Sequence, residues 1–99
     1  MTRATALALG LTLAAGPAVA QAPLAVQGCL GCHGAAGTGS TPIAGLAGRP
    51  AGDLVAAMDA FRAGTRPATI MNRIAKGYTE AEIAAMAAYF AGLPAGGVR

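Results

Sequence analysis

The chain has 99 residues, a formal net charge of +3 and a mean hydropathy of +0.53, which leaves room for one small domain. A charge this small gives no footing for nucleic-acid binding. With 2 cysteines and 1 histidine, the chain also falls short of the four protein ligands of a structural zinc site.

Taken in order, residues 1–20 read as a secretory signal. Arg3 supplies the positive start, and Ala6 to Ala15 is an apolar run broken only by Gly10 and Thr12. Gly16-Pro17 interrupts it, and Ala18-Val19-Ala20 is an A-x-A cleavage site. An uncleaved anchor fits less well, because a membrane span wants about 20 apolar residues. A lipoprotein fits less well again, because Gln27 spoils the approach to Cys29, and with no twin-arginine pair the expected export is of an unfolded chain. The expectation is export to the periplasm, cleavage after Ala20, no stable membrane span after cleavage, and a mature domain over 21–99.

A helix is predicted over 22–32, with Pro23 in its first turn and Leu24, Ala25, Val26 and Leu30 as apolar surface. It carries Cys29-Leu30-Gly31-Cys32-His33, the C-x-x-C-H attachment signature of a c-type haem. Two thiols bracketing one helical turn can each form a thioether to a porphyrin vinyl group, and the adjoining imidazole becomes the proximal iron ligand. A thioredoxin-like dithiol would need βαβ units, and no convincing strand pattern is found. A plain structural disulfide would not require His33.

Residues 34–50 are predicted as a loop, because five glycines (34, 37, 39, 45 and 48) with Pro42 and Pro50 preclude regular structure. Such a loop can lie against a flat ligand. The expected acceptor for the second ring nitrogen of His33 is the Pro42 carbonyl, with Ile43 and Leu46 covering one haem face. A plain flexible surface loop is the competing reading.

A second helix is predicted over 52–63. Asp53 suits the dipole at its start, Leu54, Ala57, Met58 and Phe61 share one face, and Gly64 caps the end. A short third helix is expected over 67–75 behind Pro67, with Ile70, Met71 and Ile74 as its apolar side. The last helix, 80–91, opens on a Thr79/Glu82 capping box and repeats Ile83, Met86, Ala87 and Phe90 at helical spacing. Gly92 and Pro94 end it, and the tail from Ala95 to Arg99 is expected to be disordered.

A low-spin electron-transfer haem wants a second axial ligand, and with His33 the lone histidine the choice falls on methionine. Met58 and Met86 are in register with core residues, where packing explains them better. Met71, on a short segment well after His33, is the expected sixth ligand; its alternative is a core role and a five-coordinate iron. Arg49, Arg62, Arg66, Arg73 and Lys76 crowd into one stretch. They read either as a solvated surface or as a docking rim and haem-propionate contacts.

These features together resemble the class I cytochromes c: C-x-x-C-H near the mature N-terminus, a Gly/Pro loop, a later methionine and a final helix reading Ala88-Tyr89-Phe90. The resemblance implies an all-α fold wrapped around one covalent haem c, with Cys29 and Cys32 as attachment points and His33 and Met71 as iron ligands. It also places Tyr89 near the N-terminal helix and the haem, and makes the chain an electron-transfer protein rather than an enzyme.

A narrower resemblance is to the cytochrome subunits of flavocytochrome c sulfide dehydrogenases, carried by Phe61-Arg62-Ala63-Gly64-Thr65-Arg66-Pro67-Ala68-Thr69-Ile70-Met71 and by Arg73-Ile74-Ala75-Lys76-Gly77-Tyr78-Thr79. It implies a periplasmic FAD-dependent oxidoreductase as partner, docking on Tyr78 and the arginines. Gly48-Arg49-Pro50 is more similar to soluble electron carriers, which keeps a free shuttle to a terminal oxidase or reductase as the alternative. An open-iron enzyme or gas sensor is a third class, opposed by Met71.

Overall fold

The computed structural model describes residues 2–13 and 22–96. The expected cleavage site and residues 97–99 lie outside the described residues. Residues 2–13 have no regular structure, and Leu7, Leu9, Leu11 and Leu13 are exposed. Among the described residues, no helix is long and apolar enough to cross a membrane.

The described chain is helical: α1 (Leu24–His33), α2 (Ala51–Ala63), α3 (Met71–Ile74), which runs on into a 3₁₀ turn (Ala75–Gly77), and α4 (Glu80–Ala91). The one β feature among the described residues is an isolated bridge between Ser40 and Ile43. Prolines set two of the starts. Pro23 and Pro50 stand at the N-caps of α1 and α2, where a missing N–H costs nothing. Gly64 ends α2 in the left-handed conformation, and its N–H reaches back to the carbonyls of Ala60 and Phe61.

The capping box of α4 forms as the sequence predicts. The Thr79 hydroxyl accepts from the Glu82 N–H at 3.1 Å, and the Glu82 carboxylate accepts from the Thr79 N–H at 3.0 Å. Each satisfies an orphan donor of the first turn.

The third helix differs from expectation. It begins at Met71, not near Pro67, and residues 65–70 have no helical backbone. Pro67 drives Arg66 away from the helical region, and no side chain caps the segment. One turn cannot sustain itself, so α3 depends on its packing against α2 and the turn that follows.

Val26 of α1, Leu54 and Met58 of α2, Ala75, and Ile83, Met86, Ala87 and Phe90 of α4 form a single buried cluster. Val26, Ile83 and Phe90 are the largest fully buried side chains, each contributing about 1.5–3 kcal/mol by leaving water. Met58 and Met86, 5% and 3% exposed, are core residues as expected. Leu24 is not: at the first position of α1 it is 90% exposed.

The loop over 34–50 is not a slack connection. Gly37 is buried at φ 68°, and a Cβ there would lie 2.7 Å from the Phe90 ring. Its carbonyl accepts from the N–H groups of Leu46 and Ala47, and the Gly48 N–H donates to the Phe90 carbonyl at 2.8 Å. The start of the expected disordered tail is also placed, with Ala95 against Gly48 and Gly96 against Thr38. Only glycine at 48 and 96 leaves room for that approach.

Candidate haem-attachment site

Helix α1 delivers Cys29, Cys32 and His33 together on its last turns. Both thiols are free, Cys29 half-buried and Cys32 exposed. The His33 Nδ1 lies 2.6 Å from the Ala44 carbonyl oxygen. A carbonyl only accepts, so Nδ1 carries the proton and Nε2 keeps its lone pair for a metal. The His33 carbonyl is held as well, accepting from the Gly39 N–H at 2.7 Å.

The acceptor is therefore Ala44, not Pro42. Ser40 and Ile43 exchange backbone hydrogen bonds at 3.1 and 2.7 Å, which puts Thr41 and Pro42 at the exposed apex of a tight turn. The chain leaving that turn brings the next carbonyl, that of Ala44, to the imidazole. Nothing in residue type marks a carbonyl for this role, so the sequence holds no signal for Ala44.

Tyr78, which the resemblance places on a docking surface, is half-buried, and its hydroxyl lies beside Gly28 of α1. A Cβ on Gly28 would lie 2.8 Å from that oxygen. The Met86 sulfur sits 3.6 Å from the Cys29 sulfur on the core side. Burial pushes the Cys29 thiol above its ordinary pKa, and the Tyr78 hydrogen bond partly offsets this. Burial first, then the neighbouring Cys29, raises the Tyr78 phenol too. A glycine inside a helix costs about 1 kcal/mol relative to alanine, so Gly28 was the available signal that something approaches α1 closely.

Met71 is half-buried at the start of α3 and packs against the core cluster, on a different element from the three attachment residues. Its neighbour Asn72 keeps Oδ1 buried without a hydrogen-bond partner among the described residues. Such an orphan marks a site that the polypeptide alone does not complete. Ile43, Ile70 and Ile74 are 38%, 56% and 36% exposed, a large apolar display for so small a chain. Leu46 and Tyr89 are half-buried against the core, with Tyr89 edge-on to Phe90 at 5.4 Å. Arg49 is exposed. Of the other cations, Arg66 lies over the Phe61 ring at 4.9 Å and Arg62 reaches Asp59 at 4.0 Å.

A family model for cytochrome c matches residues 13–94. The chain belongs to the cytochrome c family. This cytochrome c is 40% identical over 68 residues to cytochrome c-552 of Acidithiobacillus ferridurans, covering 69% of this chain and 30% of that one. It is also 40% identical over 65 residues to the cytochrome subunit of sulfide dehydrogenase of Chlorobaculum tepidum, covering 66% of this chain and 59% of the relative. The chain thus spans from under a third to about three-fifths of the curated relatives it matches. Among solved structures, Acidithiobacillus ferrooxidans cytochrome c4 superposes with a TM-score of 0.64 at 42% identity, covering 66% of this chain and 38% of that one.

The all-α class I fold is thereby established, and with it a covalently bound haem c and a role as electron carrier. The residues present fit that group. Two free thiols stand one helical turn apart beside an imidazole already fixed by its far nitrogen, with exposed isoleucines on the loop and on α3.

Proposed function

We propose that this cytochrome c is a periplasmic haem protein that accepts single electrons from a flavoprotein sulfide dehydrogenase. Cys29 and Cys32 attach the haem, and His33 Nε2 and Met71 hold its iron. When bound, the haem iron supplies the one-electron Fe(III)/Fe(II) couple. The chain orients the proximal ligand through Ala44, covers the haem with Ile43, Leu46 and Tyr89, and keeps Arg49 available to a propionate. Residues 1–20 are the export leader, and N-terminal sequencing of exported protein is expected to begin at Gln21; a mature chain retaining Arg3 would refute cleavage.

The observation that carries the partner is the 40% identity to a cytochrome subunit of sulfide dehydrogenase. The surface agrees in character. Arg66, braced over Phe61, and the exposed Arg73 and Lys76 give the stretch around Met71 a cationic rim. Such a rim steers an acidic partner and sets the association rate more than the affinity. In stopped-flow mixing, the FAD protein with sulfide is expected to reduce the haem much faster than sulfide alone, and Arg66→Glu to slow that step. Equal rates with and without the flavoprotein would leave a free shuttle to a terminal oxidase or reductase.

A further inference from the structure

The chain that leads from α2 to Met71 has a gap in its support. After the Gly64 cap, the Thr65 N–H and hydroxyl both donate to the Ala60 carbonyl, at 3.0 and 3.3 Å. Residues 66–69 then make no backbone hydrogen bond and no ion pair among the described residues. Backbone pairing resumes at Ile70, whose carbonyl accepts from the N–H groups of Arg73 and Ile74 at 2.9 and 3.1 Å. No side chain caps α3.

One contact bridges the gap. The guanidinium carbon of Arg66 lies 4.9 Å from the centre of the Phe61 ring. Phe61 is half-buried on the last turn of α2 and packs against the same core cluster as Met71. The ring is therefore a fixed seat, and the cation over it is exposed and has no acidic partner among the described residues. The contact also falls where it has leverage. Arg66 precedes Pro67, so its backbone is confined to extended conformations and the next φ is fixed by the ring. Holding the side chain at 66 sets the direction in which the chain leaves for Met71.

We propose that Arg66 is a positioning residue for Met71. Its guanidinium, seated on Phe61, closes the unsupported stretch between α2 and α3 and biases the segment toward the arrangement in which the methionine sulfur meets the iron. The histidine side is tied by the 34–50 loop and makes no use of this contact, so its loss acts on the methionine side. The proposal rests on Met71 as the sixth ligand.

The test is imidazole titration of the ferric holoprotein, read by absorbance. Imidazole enters only when Met71 has left, so its apparent affinity reports the fraction of molecules with the segment open. An exposed cation–π contact is weak, and Arg66→Ala is expected to raise that affinity about threefold. Phe61→Leu, which removes the ring and keeps the charge, is expected to raise it too, and the double variant no further than Phe61→Leu alone. Arg66→Lys, which keeps a cation, should raise it less than Arg66→Ala. In a Met71→Ala background, where no opening is needed, adding Arg66→Ala should change nothing. An unchanged affinity in Arg66→Ala, additive effects in the double variant, or a shift that persists without Met71 overturns the proposal. The premise fails separately. If Met71→Ala binds imidazole no more tightly than wild type, the ligand assignment is wrong; if it binds more tightly while Arg66→Ala does not, only the role of Arg66 falls.

Discussion

The segments 34–50 and 64–77 both carry little regular structure, yet they are held in different ways. The first is tied at intervals, to itself and to the rest of the molecule: His33 to Gly39 and Ala44, Gly37 to Leu46 and Ala47, and Gly48 to Phe90. The second has Thr65 bonded back to Ala60, a run without helical backbone, then a single turn that starts at Met71. One side of the site is thus built by the polypeptide before any iron chemistry. The other presents a methionine on a turn too short to be stable alone. If Met71 is the sixth ligand, as proposed, binding the iron would complete that side, and its short turn makes it the side expected to yield first.

Met71→Ala is expected to have the largest effect on this contrast. The haem should stay covalently attached with its histidine side intact, while the iron opens to added imidazole or cyanide and the potential falls. Absorbance titration and potentiometry read both, and an unchanged spectrum would move the sixth ligand elsewhere. Next comes Gly37→Ala, which strikes the built side. Overpacking against Phe90 together with a left-handed backbone predicts a loss of roughly 2–4 kcal/mol in denaturant unfolding of the holoprotein. A loss below about 1 kcal/mol would show that the loop can shift, and that the contrast between the two sides is overdrawn.

Much of this organisation was legible because the relevant chemistry is local. Thr79 and Glu82 announce the start of α4, Met58 and Met86 announce their burial by their register, and C-x-x-C-H, in a chain with no strand pattern and no further zinc ligands, announces its cofactor. What escaped the sequence depends on contacts between distant positions. The switch from Pro42 to Ala44 follows from a turn closed by two backbone bonds, and backbone carbonyls look alike in every sequence. Tyr78 is assigned to a docking surface by the resemblance alone, whereas Gly28, which lies beside its hydroxyl, is far away in sequence. The late start of α3 reflects a balance between Pro67 and packing on α2 that propensity alone does not resolve.

The smallest expected effect marks where the loosely held segment ends. Thr79→Ala removes one half of the capping box and is expected to cost about 1 kcal/mol in thermal unfolding. The haem spectrum should not change, because the cap belongs to α4 and not to the methionine segment. A spectral change would extend the loosely held region past Thr79.

The hydrogen bond from the Gly48 N–H to the Phe90 carbonyl has a consequence for how the molecule opens. It joins the end of the histidine-side loop to the last turn of α4, whose own Phe90 ring rests on Gly37. Neither can fray without releasing the other, so the two form one cooperative unit in the sense of native-state amide exchange. The Gly48 proton, although it sits in a loop on an exposed residue, should exchange as slowly as the amides in the middle of α4.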